Sequence, residues 1–172
     1  MKIAICGKMA SGKTTLADWF VDNHEFLKIS LAAKVKEIGV NLFGMKQKDR
    51  RLLQQIGMKM REIKEDVWID YLINLQVDEG ENLVIDDVRF INEVEKLKSA
   101  GWTIIRINID EGLQCERLKK TYDDWEVHWN NRTDVSEAQV DLISDNLVDL
   151  EITAEPKWPL EDLIKLIEVN VG

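Results

Sequence analysis

Eight residues near the N-terminus carry the first chemistry that the sequence indicates: Gly7-Lys8-Met9-Ala10-Ser11-Gly12-Lys13-Thr14. They fit the pattern G-x-x-x-x-G-K-S/T and lie between an apolar, strand-like run and a segment of helical period. Glycines let such a loop curl until its N–H groups converge on phosphate oxygens, and the N-terminus of the next helix adds its positive dipole end. The pattern predicts a nucleoside triphosphate site, with Lys13 on the outer phosphates, Thr14 on Mg²⁺ and Thr15 on an inner phosphate.

Two carboxylates, Asp86 and Asp87, end a second apolar run. In phosphate-loop proteins an acid at the end of a neighbouring strand holds the magnesium ion, directly or through water. The alternative is that these acids cap the helix that follows them, because aspartate is common at helix starts. The phosphate loop favours the first interpretation. We therefore predict a magnesium site at Thr14, Asp86 and Asp87, the acids acting through water, with Asp87 nearer to the metal and the acceptor.

Arg89 follows the acid pair, and two interpretations of it stay open. It can pair with Glu93 four residues on, a helical spacing worth only a few tenths of a kcal/mol. In a doubly wound fold it would instead stand at the C-terminal edge of the sheet, where ligands bind. A planar guanidinium at that edge can grip a phosphate through two parallel hydrogen bonds.

Three further arginines are candidates for the same chemistry. Arg61 ends a helical segment and has Glu65 as an alternative surface partner at helical spacing. Arg117 enters and Arg132 leaves a segment without clear period, so closure of that segment would bring both over the phosphates. Phosphoryl transfer needs cations on the transferring group and a lid that excludes water. The spacing therefore predicts a lid at residues 117–135 with two catalytic arginines.

The residue types also bear on the acceptor. A phosphate monoester has a second pKa of about 6, so it is mostly dianionic at neutral pH and needs charge neutralisation and no general base. An alcohol would instead require an aspartate within reach of its proton, as in protein kinases. Four arginines and one acid pair favour the phosphate acceptor and leave the alcohol open.

Composition limits the other classes. The 172 residues, 45% of them hydrophobic, suit one globular domain with a real core. A net charge of −9 argues against a nucleic-acid or anionic-membrane partner, since either would profit from a basic face. Neither a signal peptide nor a membrane span is expected. Cys6 and Cys115 lack metal-ligand spacing and are expected to be reduced, buried thiols of a cytoplasmic protein.

Short apolar runs alternate with longer segments of helical period, a pattern typical of a parallel sheet wrapped by helices. The predicted strands are residues 2–6, 26–30, 83–86, 102–109 and 150–153. The predicted helices are residues 13–23, 31–43, 49–61, 67–76, 92–100, 113–120, 135–143 and 160–169, with a mobile loop at 121–133. Three helices between the second and third strands exceed what a crossover needs, and they predict an inserted helical subdomain.

The expected fold class is therefore α/β, of the P-loop NTPase type. It is a three-layer α/β/α domain over residues 1–172 with a five-stranded, mainly parallel sheet. A helical acceptor-binding insertion is expected at 31–77 and the short lid at 117–135.

Four runs of the sequence resemble the deoxynucleoside monophosphate kinases of bacteriophages and related viruses, a branch of the P-loop nucleoside monophosphate kinases. These runs are GKMASGKTT, LLQQIGMKMREI, VIDDVRFINEVEKLKSAGWTIIRI and DVSEAQVD. The resemblance extends from residue 1 to about residue 166. The phosphate loop is shared with many families, whereas D-V-R-F-x-N-E and Q-x-x-G-x-x-x-R are more specific.

The resemblance implies a role for each matching residue. ATP would be held by Gly7, Ala10, Ser11, Gly12, Lys13, Thr14 and Thr15, with Asp87 at the catalytic acid position. The acceptor would be bound by Lys36, Gln55, Arg61, Arg89, Asn92 and Glu93. Arg117 and Arg132 would be lid arginines, and Ser136 and Glu137 fit the element that follows the lid.

The resulting prediction is transfer of the ATP γ-phosphoryl group to a deoxynucleoside monophosphate, with Mg²⁺ as cofactor and only small molecules as substrates. An alternative is another small-metabolite P-loop kinase, similar to phosphomevalonate or dephospho-coenzyme A kinase. A non-kinase nucleotide-binding switch ATPase is a third. The expected location is the cytoplasm, that of a host if the chain is viral, and a homodimer is left open.

Overall fold

The computed structural model of the chain describes residues 1–75, 80–131, 135–156, 165 and 167, and of residues 135 and 136 it describes the backbone alone. Five strands form one sheet: β1 (Lys2–Gly7), β2 (Phe26–Ile29), β3 (Asn82–Val88), β4 (Thr103–Asn108) and β5 (Leu150–Thr153). Their order is β2-β3-β1-β4-β5, and every neighbouring pair is parallel. The first strand is therefore central, and the loop after it opens at the carboxyl edge of the sheet.

Eight helices are described around this sheet: α1 (Lys13–His24), α2 (Leu31–Phe43), α3 (Arg50–Ile63), α4 (Val67–Ile73), α5 (Ile91–Ser99), α6 (Glu111–Thr121), α7 (Trp125–Asn130) and α8 (Val135–Asp141). A 3₁₀ turn, Asp145–Leu147, precedes β5. One apolar cluster joins the sheet to α1 and α6, and a second joins its other face to α2, α3, α4, α5 and the end of α8. The predicted three-layer α/β/α architecture is confirmed.

The acid pair lies at a shift of register in β3. Ala4 of β1 pairs with Ile85, but Cys6 pairs with Val88. Asp86 and Asp87 therefore both lie opposite the single residue Ile5. An extra residue in a strand disrupts the ladder locally and re-aims the side chains beside it. Strand β3 consequently runs two residues past its predicted end and carries both acids within it.

Residues 121–133 were expected to form an irregular loop, and that expectation is wrong for the described part of the segment. Residues Trp125–Asn130 form helix α7. Its His128 is buried, and the His128 ring stacks on Tyr122 with 4.0 Å between centroids. Arg50 Nη1 of α3 lies 3.1 Å from His128 Nε2. The helix is thus held by contacts distant in sequence, which hydrophobic period does not reveal.

Other predicted elements match within a few residues. Three helices, α2, α3 and α4, do lie between β2 and β3. The predicted last helix, 160–169, lies outside the described residues apart from Lys165 and Ile167, and residues 76 and 77 of the expected insertion also lie outside them.

Neither cysteine is in a disulfide. Burial raises the pKa of the Cys6 thiol to about 11, whereas Cys115 is only partly buried. No helix among the described residues is long and apolar enough to cross a membrane.

Candidate active site

Three positions in the loop from β1 to α1 have a positive φ, a backbone conformation that favours glycine. Gly7 and Gly12 have φ of 151° and 105°, and Ala10 has φ of 61°. A Cβ on Gly7 would lie 2.6 Å from the Ile107 carbonyl oxygen and 2.9 Å from Ser11 Oγ. A non-glycine residue in the left-handed region costs about 1–2 kcal/mol, so Ala10 stores strain, as residues at binding sites often do.

Lys13 is a buried cation held inside this loop. Its side chain is only 8% exposed, and its Nζ donates to the Gly7 and Lys8 carbonyl oxygens, each at 2.7 Å. Burial, with the nearby Arg89 cation as the second cause, lowers the pKa of Lys13 from 10.5 to about 8. The ammonium group is bound here by neutral carbonyls, so an incoming phosphate would supply the negative charge that it lacks.

The lowered pKa of Lys13 predicts a pH-dependent stability. The unfolded chain keeps the Lys13 proton up to about pH 10.5 and the folded chain only up to about pH 8, so stability rises with pH between these values. At 1.36 kcal/mol per pH unit, Lys13 destabilises the fold by about 3 kcal/mol below pH 8. Urea unfolding measures this effect. As the pH rises from 8 to 10.5, the free energy of unfolding of the wild type should rise by about 3 kcal/mol relative to that of Lys13→Met. A difference between the two proteins that does not change with pH would contradict the prediction.

The loop fits a bound triphosphate in two further respects. Ser11 Oγ is the one buried side-chain polar atom among the described residues that has no hydrogen-bond partner. Helix α1 begins without a side-chain cap and without an acidic residue in its first turn, so its first N–H groups are available to an anion. Thr14 and Thr15 are exposed beside them.

Residues of α6 and α8 hold the loop from outside. Gln114 Nε2 donates to the Met9 carbonyl oxygen at 2.9 Å, and the Met9 N–H donates to Glu137 Oε2 at 2.7 Å. Arg117 Nη1 donates to the Ala10 and Ser11 carbonyl oxygens at 3.1 and 3.0 Å. The phosphate loop is therefore fixed before any ligand arrives.

Arg117 was expected to be a lid arginine over the phosphates, but its guanidinium lies against the loop backbone. Its Nη2 also donates to the Glu155 carbonyl oxygen at 2.5 Å, and partial burial lowers its pKa. Its role in catalysis stays a prediction. Arg132 and the side chain of Ser136 lie outside the described residues.

The two acids lie on opposite faces of the sheet, because consecutive side chains of a strand alternate between its faces. Asp86 pairs with Lys28 at 2.9 Å, on the face of α1, and its charge is near enough to Lys13 to raise that pKa. Asp87 accepts hydrogen bonds from Ser30 Oγ at 2.7 Å and from the N–H groups of the first two residues of α2. Asp87 therefore caps a helix, but it is α2, not the helix after the acid pair.

A cavity of about 600 Å³ lies between α2, α3 and the end of β3. Its apolar wall is formed by Leu31, Ala32, Val35, Leu53, Gly57, Met58, Trp68 and Phe90. Its polar groups are Lys36, Gln54, Arg61, Asp87, Arg89 and Glu93. Three cations thus line a mostly apolar cavity. One of them, Arg89, is close enough to the phosphate loop to lower the pKa of Lys13.

Each arginine of the cavity is oriented by a buried carboxylate. Arg61 Nη2 donates to Glu93 Oε1 at 2.5 Å, and the Arg61 guanidinium lies over the Phe90 ring at 4.3 Å. Arg89 Nη1 donates to Glu137 Oε1 at 2.7 Å. Glu93 and Glu137 are both 2% exposed. A guanidinium has five N–H donors, so both arginines keep donors for a ligand.

The two surface pairs considered from the sequence do not form. The Glu93 carboxylate accepts the backbone N–H groups of Arg89 and Phe90 at 3.0 and 3.1 Å, and its side-chain partner is Arg61. Burial raises the pKa of Glu93. Glu93 therefore acts as a cap of α5 and a support for Arg61.

Two residues predicted to bind the acceptor do not line the cavity. Gln54 and Gln55 are both exposed on α3, but only Gln54 lines the cavity, because neighbouring helical residues point about 100° apart. Asn92 donates to Asp66 Oδ1 at 2.7 Å, beside α4. The sequence did contain the signal for Gln54, since the spacing Q-x-x-G-x-x-x-R places Gln54 on one helix face with Arg61.

Comparison with known families gives one match. A family model described as an AAA domain matches residues 3–138. No curated protein sequence matches the chain.

Solved structures resemble the chain over nearly its whole length. A shikimate kinase from Aquifex aeolicus is 17% identical with a TM-score of 0.62, covering 99% of this chain and 96% of that one. A gluconokinase from Sinorhizobium meliloti is 12% identical with a TM-score of 0.58, covering 98% and 93%. A shikimate kinase from Acinetobacter baumannii, solved with shikimate, is 14% identical with a TM-score of 0.61, covering 99% and 94%. The chain therefore shares the fold of these three kinases.

Proposed function

The chain belongs to the AAA domain family, and on that premise we propose that it is a deoxynucleoside monophosphate kinase. It transfers the γ-phosphoryl group of ATP to the phosphate of a deoxynucleoside monophosphate, giving the deoxynucleoside diphosphate and ADP. The observation that carries the proposal is the cavity between α2, α3 and the end of β3, which Arg61 and Arg89 line together with an apolar wall.

The lining of this cavity favours an acceptor with a phosphate and a flat ring. Arg61 and Arg89 suit the phosphate, because a guanidinium binds phosphate through parallel hydrogen bonds. Trp68, Met58 and Leu53 suit a base, since aromatic and aliphatic walls bury apolar surface. A polyhydroxylated acceptor such as shikimate or gluconate would instead need several polar side chains along that wall.

The chemistry of the step matches the residues present. A phosphate acceptor is already ionised at neutral pH and needs no base, and Asp87 is engaged by α2. Catalysis then rests on positioning and electrostatics, which Lys13 and Arg89 supply. The resemblance of D-V-R-F-x-N-E and Q-x-x-G-x-x-x-R to deoxynucleoside monophosphate kinases supports the choice of acceptor.

Magnesium would be held by Thr14 and, through water, by Asp86. Mg²⁺ keeps most of its waters and takes one or two carboxylates, and Asp86 lies on the same face of the sheet as α1, the helix that carries Thr14. When bound, the ion neutralises charge that develops on the transferring group.

The division of labour between the two acids gives a prediction. Asp86→Asn should raise the Mg²⁺ concentration for half-maximal rate about tenfold, with a stability loss of less than about 1 kcal/mol, since only one partly exposed ion pair is lost. Asp87→Asn should lower the free energy of unfolding by about 1–2 kcal/mol, because a helix cap is impaired. Magnesium titration and urea unfolding measure both. A magnesium shift in Asp87→Asn alone would assign the metal to Asp87, as first expected from the sequence.

An acceptor panel tests the proposal. It pairs ATP with dGMP, dTMP, dCMP, dAMP, their ribose forms, shikimate and gluconate, and it reads ADP release. We expect turnover with at least one deoxynucleoside monophosphate and none with the two polyhydroxylated acids. Turnover with shikimate or gluconate alone would replace the proposal by a kinase with an alcohol acceptor.

A further inference from the structure

The centre of α3 contains a glycine that packing does not require. Gly57 is buried within the helix Arg50–Ile63, where glycine is less favourable than alanine. A Cβ built on Gly57 has only Arg61 Nη1 within 4 Å, at 3.8 Å, an ordinary contact. The protein as described has room for alanine at this position, so the reason for glycine lies outside its own packing.

Gly57 forms a rigid part of the cavity wall. It lines the cavity, and the indole Nε1 of buried Trp68 donates to its carbonyl oxygen at 3.1 Å. This hydrogen bond fixes the turn of α3 at the point where no side chain covers the backbone. A flat group in the cavity could therefore lie closer to α3 at Gly57 than at any position that carries a Cβ.

Gln54 and Arg61 lie on the same face of α3, on either side of Gly57. The spacing i, i+3, i+7 places all three on one helix face, and the ends are about 10 Å apart along the axis. Arg61 is oriented by Glu93. The Gln54 amide has no hydrogen-bond partner within the described part of the chain. The face thus presents a guanidinium, a bare stretch of backbone and a free amide in order.

We propose that this face of α3 selects the acceptor by its base, an inference that rests on the proposed function. Arg61 binds the phosphate, Gly57 leaves the space in which the ring lies against the helix, and Gln54 binds the polar edge of the ring. An amide offers a donor beside an acceptor, which matches a base edge that carries the complementary pair. The substrate class is a phosphate ester that bears a planar heteroaromatic ring.

A base-free acceptor separates this role from phosphate binding. The specificity constant kcat/KM is measured for the best deoxynucleoside monophosphate and for 2-deoxyribose 5-phosphate, the latter as a competitive inhibitor if its turnover is too slow. The variants are Gln54→Ala, Gly57→Ala and, as the matched control on the exposed face of the same turn, Gln55→Ala.

We expect Gln54→Ala to lower kcat/KM for the deoxynucleotide about tenfold, the worth of one or two hydrogen bonds, and to leave binding of the base-free ester unchanged. Gly57→Ala should lower kcat/KM for the deoxynucleotide about tenfold or more, because the added methyl group occupies the space of the ring. Its melting temperature should stay equal or rise by about 2–4 °C, since alanine favours the helix. Gln55→Ala should match the wild type with both ligands.

Two results would overturn the inference: equal behaviour of the Gln54 and Gln55 variants, or equal losses with both ligands, which would indicate a general effect on the site. If the wild type instead phosphorylates no deoxynucleoside monophosphate, the proposed function itself fails. Failure of the inference and failure of the proposed function therefore give different results.

Discussion

Replacing Lys13 by alanine is expected to lower the turnover number at saturating substrates by at least about 10²–10³-fold, the usual cost of removing one group that stabilises transition-state charge. Lys13 is the buried cation of the phosphate loop, and among the residues that the structure describes its Nζ has only the Gly7 and Lys8 carbonyl oxygens as hydrogen-bond partners. A steady-state assay of ADP release with each substrate varied in turn measures the effect.

The variant should nevertheless fold. Lys13 is buried at a cost to stability, so its removal should leave the melting temperature equal to or above that of the wild type at pH 7. Lys8→Ala is the matched control, because Lys8 lies in the same loop but pairs at the surface with Asp141 at 2.9 Å. We expect Lys8→Ala to stay within about threefold of the wild-type rate. Wild-type turnover in Lys13→Ala would remove the loop from the mechanism.

Arg89→Lys should lower kcat/KM for the acceptor by about 100-fold, through a higher KM, a lower kcat or both. Lysine keeps the charge but loses the planar fork that binds phosphate at two points. Arg89 lines the cavity, and Glu137 fixes its orientation through Nη1, so the remaining donors are held in place for a ligand. Kinetics with the acceptor varied at saturating ATP measure the change.

Arg51→Lys is the control for this substitution, since Arg51 is an exposed arginine of α3 outside the cavity. This variant should leave kcat and the KM for the acceptor unchanged. If Arg89→Lys also leaves them unchanged, Arg89 serves only to neutralise the buried Glu137 carboxylate, and the acceptor phosphate must be bound elsewhere.

Local patterns predicted the framework of the site because the forces that set it are local. The apolar runs of β1 and β3 and the glycines of the phosphate loop depend on residues adjacent in the chain, and the structure has these elements where the sequence indicated them. The helix α2 was predicted with both its ends as observed.

The partners of the two acids could not be predicted in this way. Asp86 and Asp87 were treated as one metal site, although adjacent residues of a strand point to opposite faces of the sheet. The groups that each acid meets on its own face depend on how distant elements pack. Asp87 consequently binds the N-terminus of α2, which lies more than fifty residues earlier in the chain.

The contacts of the buried carboxylates Glu93 and Glu137 were missed for the same reason. Glu137 contacts the Met9 N–H and Arg89, and no spacing in the sequence links these three residues. His128 between Tyr122 and Arg50 is a similar case, and it is why α7 was expected to be a loop. Gln54 differs from these, since helical geometry alone would have distinguished it from Gln55.

Transfer of label from γ-³²P-ATP is the most direct measurement of the central claim. The wild-type chain is incubated with labelled ATP, Mg²⁺ and a deoxynucleoside monophosphate, and the products are separated by chromatography. We expect the label in the deoxynucleoside diphosphate, at a rate that depends on the acceptor concentration. Label released only as inorganic phosphate, at a rate independent of the acceptor, would contradict the claim and indicate a nucleotide-hydrolysing switch.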